Sequence, residues 1–186
     1  MATTGKTSFD ERNYRYFLKL YTRHITPVAD TCAYCLLRNH FHFLVQIRAV
    51  EEQDLTGWEN LSGLPRKPSQ QFSNLFNAYA RAFNKATHRT GTLFQRPFGR
   101  VEVTSDAYRV HLVTYIHQNP QKHGFVDDFR TWPYSSYQAL LSAKPTRLQR
   151  DDVLAWFQGA ESFEDVHRYE VDGRKISPLM PGDFDD

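Results

Sequence analysis

The pattern of apolar and polar positions predicts three longer helices and a group of strands. Apolar residues recur every three to four positions in the helical segments, which is the spacing of one buried helix face. The third helix is expected to end at Asn119, because the proline that follows disfavours helical geometry in the residue before it. The predicted helices cover residues 10–25, with Asp10 as N-cap, 69–88 and 105–119.

Two apolar runs rich in β-prone residues predict neighbouring strands, joined by a tight turn at Arg38-Asn39. A further strand is predicted after the second helix, and one or two short helices follow the third. The order helix, strand, strand, helix, strand, helix is typical of an α+β fold with helices packed on an antiparallel sheet. The predicted strands are residues 28–37, 41–48 and 100–103.

The length of 186 residues suits one good hydrophobic core. The chain has no stretch of about 20 apolar residues that could span a bilayer, and its first nine residues contain no apolar segment of a secretion signal. Cys32 and Cys35 are the two cysteines and fit buried, reduced thiols. A cytoplasmic protein without a membrane partner is therefore predicted.

The net charge of +2 conceals an uneven distribution. Residues 1–150 hold 20 Lys and Arg against 11 Asp and Glu, whereas residues 151–186 hold 3 against 10. We therefore predict a cationic main domain over 1–150 and a short, helical, acidic tail over 151–186. Such a distribution favours a polyanionic partner, although a charge run is also typical of a solvated face. The candidate nucleic-acid-binding residues are Arg81, Lys85 and Arg89, four apart along the second helix and its end, with Arg96 and Arg100 beyond it.

The first chemical motif is the run Asn39-His40-Phe41-His42 at the start of a predicted strand. Successive side chains of a strand point to opposite faces, so His40 and His42 share a face, roughly 7 Å apart. Two imidazoles on one rigid face form half of a divalent-metal site, while Phe41 and Phe43 enter the core. The same pair also fits two half-exposed polar positions, so the motif alone leaves both interpretations open.

The second motif is Tyr-Ile-His-Gln-Asn-Pro at residues 115–120. Tyr115 and Asn119 lie one helical turn apart, which places a phenol and a carboxamide on one helix face. A phenol becomes a good nucleophile when it loses its proton near a cation, and the carboxamide can complete the shell of that cation. Tyr115 also fits an aromatic residue at the edge of the core, beside Tyr108 and Leu112.

Together, these motifs resemble those of the single-tyrosine HUH nucleases, specifically the REP-associated tyrosine transposase-like branch. The resemblance covers about residues 8 to 142, and its order of motifs is specific. It is carried by residues 33–45, 79–85, 89–95, 115–120 and 132–137.

The resemblance implies the HUH endonuclease fold, a ferredoxin-like antiparallel sheet with helices packed on it. It implies that His40, His42 and Asn119 hold Mg²⁺ or Mn²⁺ and that Tyr115 is the nucleophile. The implied reaction is cleavage of single-stranded or hairpin DNA by a transposase, leaving a 5′-phosphotyrosine and a free 3′-hydroxyl. Such a protein is expected near the bacterial nucleoid. Family members open with a strand before the first helix, whereas residues 3–9 of this chain make a poor strand. Three explanations stay open: the true start lies upstream, a partner supplies the strand, or the chain is a decayed or domesticated relative.

Two other functions stay open at this point. One is a domesticated or decayed protein that binds single-stranded or hairpin DNA without cutting it. The other is a metal-dependent phosphodiesterase in which water attacks and Tyr115 is dispensable. Covalent attachment of Tyr115 to DNA distinguishes the transposase from the protein that only binds, and a dispensable Tyr115 identifies the phosphodiesterase. The sequence also leaves open whether the protein acts as a monomer or a homodimer.

Overall fold

The computed structural model describes residues 11–53, 65–94, 99–103 and 105–171. The predicted α+β class is confirmed, with helices packed on an antiparallel sheet. The predicted Asp10 cap, the expected weakness of residues 3–9 as a strand and the last fifteen residues of the tail lie outside the described ranges. The elements are α1 Glu11–His24, β1 Ala29–Leu36, β2 Phe41–Ile47, α2 Pro68–Ala86, α3 Asp106–Lys122, α4 Tyr137–Leu141, α5 Arg150–Trp156 and α6 Ala160–Val166, with 3-10 turns at Val50–Glu52 and Phe129–Thr131.

Strands β1 and β2 pair antiparallel, with Cys35 opposite His42. The predicted turn at Arg38-Asn39 is confirmed, and Leu37 N donates to the His40 carbonyl oxygen at 2.8 Å to close it. A bulge interrupts the register of β1 at Cys32. Beyond the bulge the pairing register of β1 and β2 is regular. Successive side chains at the start of β2 therefore alternate between the two faces of the sheet.

The predicted strand at residues 100–103 is wrong, since residues 99–103 form no strand. The outer edge of β1 is instead covered by backbone from the region after α3. Leu36 N donates to the Tyr134 carbonyl oxygen at 2.9 Å, and Ser136 N donates to that of Tyr34 at 2.9 Å. A segment of alternating apolar and polar residues forms a strand only where the edge of another strand is available to pair with it. The local sequence does not determine which edge that is.

Helices cover both faces of the sheet. On one face α1 and α2 pack on the phenylalanines of β2, and the ring centroids of Phe17 and Phe41 lie 5.1 Å apart. The ring centroids of Phe76, on α2, and Phe41 lie 5.8 Å apart. Helix α3 packs on the other face, against β1 and β2. The face of β2 that carries His40 and His42 is therefore covered by the helix that carries Tyr115.

Helix α3 does not end at Asn119-Pro120, as the sequence predicts, but continues beyond the proline. The helix is closed by hydrogen bonds from Phe125 N to the Pro120 carbonyl oxygen at 2.8 Å and from Gly124 N to that of Gln121 at 3.0 Å. Gly124 has a φ of 64°, the left-handed conformation that this helix-ending motif requires. The glycine sets the helix end, and the proline removes only one helical donor.

Candidate metal and tyrosine site

His40 and His42 lie together on the buried face of the hairpin. Their ring centroids are 5.0 Å apart, and each residue is only 7% exposed. Phe41 and Phe43, on the opposite face, are more exposed than the two histidines. The usual preference of polar residues for the surface is therefore reversed here, and the two buried imidazoles need a specific partner to offset the loss of water.

Asn39 fixes the orientation and the tautomer of His40. The His40 Nδ1 and the Asn39 Oδ1 lie 2.9 Å apart. The carboxamide oxygen can only accept, so Nδ1 carries the proton and Nε2 keeps its lone pair. This Nε2 is buried and has no hydrogen-bond partner among the described residues. The ring thus presents a free lone pair to the interior, in the way that second-shell contacts orient metal ligands.

Burial also keeps both imidazoles neutral. It lowers the pKa of His40 to about 3, with a further contribution from the nearby His123 ring. Burial lowers the pKa of His42 well below its ordinary value, and the charge that His40 would carry acts in the same direction. A metal ligand has to be the neutral imidazole, so both rings are in the ligating form across the neutral range of pH.

Asn119 brings a carboxamide from α3 to the same place. It is fully buried, and its Nδ2 donates to the Tyr115 carbonyl oxygen at 3.1 Å. Its Oδ1 is buried without a hydrogen-bond partner among the described residues. The carboxamide lies close enough to His40 to favour the protonated ring, which opposes the larger effect of burial. The amide is therefore anchored through its nitrogen, which leaves its oxygen for the side of His40.

These donors fit a divalent cation. His40 Nε2 and Asn119 Oδ1 are buried acceptors without protein donors, and leaving such atoms unsatisfied is costly. The His42 and His123 rings both lie 5.0 Å from the His40 ring between centroids, but no group of three or more His, Cys, Asp or Glu side chains among the described residues is arranged to hold a metal ion. The only triad that the sequence predicts is thus two imidazoles and one carboxamide oxygen, which leaves coordination positions for water or phosphate.

Tyr115 lies beside this triad and is covered. Its ring centroid is 5.9 Å from that of His42, in an edge-to-face arrangement. The residue is only 2% exposed, and it packs with Val171 near the end of the described chain. Tyr115 is therefore both close to the candidate ligands and inaccessible to a polymer in this conformation.

A short segment after α6, which we call the C-terminal strap and define as residues 167–171, lies across α3. Gln118 Nε2 donates to the carbonyl oxygens of His167 at 3.2 Å and Tyr169 at 2.7 Å, and the Gln118 Oε1 accepts from Val171 N at 3.1 Å. Lys122 Nζ donates to the Val171 carbonyl oxygen at 2.8 Å. The strap thus holds Val171 against Tyr115.

A buried polar chain ties the strap to the sheet. The His117 Nδ1 lies 2.8 Å from the His167 Nε2, and the His117 Nε2 lies 2.7 Å from the Ser136 Oγ. The His167 Nδ1 lies 2.7 Å from the Phe163 carbonyl oxygen and therefore carries the proton. Burial lowers the pKa of His167 to about 4 and that of His117 well below its ordinary value. With both rings neutral, His117 Nδ1 donates to the His167 Nε2 and His117 Nε2 accepts from the Ser136 hydroxyl, so burial and hydrogen bonding are satisfied together.

The predicted basic residues do not form one continuous row in the described part of the chain. Arg81 and Lys85 are exposed on α2. The predicted placement of Arg89 on the same helix face is wrong, because α2 ends before it and His88 takes a φ of 53°. Arg100 is exposed. Arg96 lies outside the described residues.

Helix α2 covers the face of the sheet opposite the two histidines. Phe76 of α2 contacts Phe41, whereas His42 faces Tyr115 of α3. A nucleic acid that contacts both Arg81 and the histidines therefore has to pass around an edge of the sheet. The sequence does not reveal this separation, because the chain order of the motifs carries no information about which face each helix covers.

The sequence does not single out Asn39, Lys122 or the C-terminal strap, which the structure places around the candidate site. Asn39 directly precedes the first histidine, and an amide at that position is the one local signal of its role. Lys122 lay beyond the predicted end of α3. The contact of Val171 with Tyr115 joins residues 56 positions apart, and no pattern in the sequence indicates it.

Comparison with known proteins gives one similar sequence and one similar structure. The Haemophilus influenzae protein named "Putative REP-associated tyrosine transposase" is 31% identical over 117 residues, a match that covers 62% of this chain and spans 62% of that protein. The solved structure of a REP-associated tyrosine transposase bound to a REP hairpin matches with a TM-score of 0.55 at 18% identity, covering 77% of this chain and 78% of that one. This match shows a shared fold. No family model matches the chain, and no helix within the described ranges could cross a membrane.

Proposed function

We propose that this chain, whose resemblance to REP-associated tyrosine transposases is confirmed in sequence and in fold, is a metal-dependent single-stranded DNA endonuclease of that kind. Tyr115 would cut the strand and stay attached to it as a 5′-phosphotyrosine. The joining of cut ends in recombination and transposition would then use the bond that this ester conserves. Hairpin DNA is the proposed substrate, because the structural neighbour is bound to a REP hairpin.

One observation carries the proposal. Two acceptor atoms from different elements, His40 Nε2 and Asn119 Oδ1, are buried without protein donors, next to a second neutral imidazole and the Tyr115 ring. A core that only needed to be stable would satisfy or replace these polar groups. The unsatisfied acceptors and the adjacent phenol favour a cation site with a nucleophile beside it.

The chain's own residues would act as follows. His40, His42 and Asn119 would hold Mg²⁺ or Mn²⁺, which when bound would withdraw charge from a phosphate and favour the ionised phenol. Asn39 keeps the lone pair of His40 turned inward. The Tyr115 oxygen would bond to phosphorus as the bond to the 3′ oxygen breaks. The phenol proton would pass to solvent, and the released 3′ oxygen would take up a proton.

The test is incubation of the protein with labelled hairpin DNA that has single-stranded flanks, in the presence of Mn²⁺, followed by a denaturing gel. We expect a shorter DNA band and a covalent DNA–protein band. Tyr115→Phe removes only a hydroxyl, so the variant should fold and bind DNA while both bands vanish. Cleavage by the phenylalanine variant would show that water attacks, and the phosphodiesterase function would replace the one proposed.

A second candidate, a protein that binds hairpin DNA without cutting it, is favoured by a different observation. Tyr115 is 2% exposed beneath Val171, and Gln118 and Lys122 hold the strap in place. If the strap never leaves, no phosphate reaches the phenol. Retained hairpin binding, with no covalent band at any Mn²⁺ concentration for the intact protein, would establish this function instead.

A further inference from the structure

Lys122 places a positive charge on the face of the Tyr115 ring. Its Nζ lies 4.9 Å from the ring centroid, within the range of a cation–π contact. We propose that Lys122 is a substrate-binding residue that holds the DNA phosphate facing Tyr115. The inference deepens the proposed function and rests on it for the identity of the substrate.

The position of Lys122 on α3 supports this role. Because α3 continues past Pro120, Tyr115, Asn119 and Lys122 follow one another at spacings of four and three residues on one helix. Residues at these spacings share a helix face. The candidate nucleophile, ligand and ammonium therefore line one side of α3, and a phosphate that approached the Tyr115 hydroxyl would meet Lys122 along the same line.

The strap shows what kind of atom this ammonium binds. Lys122 Nζ donates to the Val171 carbonyl oxygen at 2.8 Å, directly over the ring that Val171 covers. A phosphate oxygen is a stronger acceptor than a carbonyl oxygen because it is charged. Lysine also suits phosphate binding, since its point charge and flexible stem follow a mobile ligand. A phosphate at Tyr115 would thus take the place of the Val171 carbonyl group.

The experiment measures binding in a protein that cannot cut. The Tyr115→Phe protein is titrated with a fluorescein-labelled DNA hairpin with single-stranded flanks, in Mn²⁺, over a series of NaCl concentrations. Adding Lys122→Met should weaken binding about tenfold, the effect of one charged hydrogen bond. The slope of the logarithm of the binding constant against the logarithm of the NaCl concentration should become less steep by about 0.7, the value for one lost phosphate contact on a single strand. Lys122→Arg should retain both.

Neutral methylphosphonates, introduced one at a time, then locate the contact. In the lysine-containing protein, a methylphosphonate at one position should weaken binding, and in Lys122→Met the same methylphosphonate should have no effect. This position should be the phosphate that the intact protein cuts. The inference would be overturned if Lys122→Met left the affinity and its salt dependence unchanged. It would also be overturned if the effect of Lys122→Met depended on many methylphosphonate positions and not on one.

Two controls separate the charge from other effects. Lys144→Met removes an exposed lysine and should leave binding unchanged. Gln118→Ala removes hydrogen bonds that hold the strap but keeps the Lys122 ammonium, so the salt dependence of DNA binding should persist. If Gln118→Ala reduced this salt dependence as much as Lys122→Met, the inference would be overturned. If the intact protein forms no covalent band and one phosphate still couples to Lys122, the proposed cleavage fails and the phosphate contact stands.

Discussion

The carboxamide of Asn119 is tied to the backbone of Tyr115 by a hydrogen bond of 3.1 Å from Nδ2 to the carbonyl oxygen. The candidate third ligand and the candidate nucleophile are therefore fixed relative to each other by one helical turn. Their alignment does not depend on a loop, and only the approach of α3 to the hairpin sets their distance from His40 and His42. Such placement on rigid elements suits a site that requires defined geometry.

Removal of both histidines should abolish metal binding with little loss of fold. The double variant His40→Ala and His42→Ala loses both imidazoles, and the remaining carboxamide is a weak ligand alone. Titration calorimetry with Mn²⁺ should show no binding, while circular dichroism shows a retained helical spectrum. Unchanged Mn²⁺ affinity in this variant would refute the predicted site.

Asn39→Ala should lower the affinity for Mn²⁺ by 10- to 100-fold, the usual effect of losing an orienting contact behind a ligand. Without the Asn39 oxygen, the proton of His40 is no longer held on Nδ1 and the ring is free to turn. Asn39→Asp is the matched control, because its carboxylate still accepts from Nδ1. Equal affinity in the alanine and aspartate variants would show that Asn39 has no orienting role.

The exposed basic residues of α2 should contribute affinity for DNA that is independent of sequence. Charge reversal of Arg81 and Lys85 should weaken single-strand binding and reduce its salt dependence by about 0.7 for each lost phosphate contact. Arg89 is omitted because it lies beyond the helix end and is half-buried. A salt dependence equal to that of the unmodified protein would show that this surface is merely solvated and that DNA runs along the α3 side.

Stability should fall as the pH drops below the ordinary histidine pKa. Burial lowers the pKa of His167 to about 4 and that of His117 well below its ordinary value. The unfolded chain therefore binds more protons than the folded one, and the stabilisation is complete above pH 6.5 and lost toward pH 4. His167 alone should account for about 2 kcal/mol of lost unfolding free energy between pH 7 and pH 5.

Urea denaturation at the two pH values measures this loss. His167→Gln keeps a polar side chain but cannot titrate, so its unfolding free energy should fall by about 2 kcal/mol less over the same interval. An identical pH dependence in the variant and the unmodified protein would show that His167 is not held neutral in the fold.

The sequence by itself determined the elements and the local placement of the chemistry. The alternation of side chains in a strand put His40 and His42 on one face, and helical spacing put Asn119 one turn after Tyr115, because both relations depend only on backbone geometry over a few residues. The hairpin turn at Arg38-Asn39 follows from the same local rules. The sequence predicts too early an end for α3, because a proline within a helix removes only one donor and the left-handed Gly124 sets the end instead.

Only the tertiary structure decided what surrounds these residues. The covering of the β1 edge by residues 134–136, the packing of α2 and α3 on opposite faces and the contact of Val171 with Tyr115 all join segments that are far apart in the chain. Such contacts form through the fit of whole surfaces and through buried hydrogen bonds that must find any available partner. Local residue patterns predict which side chains are buried or polar, but the partner that each one meets depends on the packing of the complete fold.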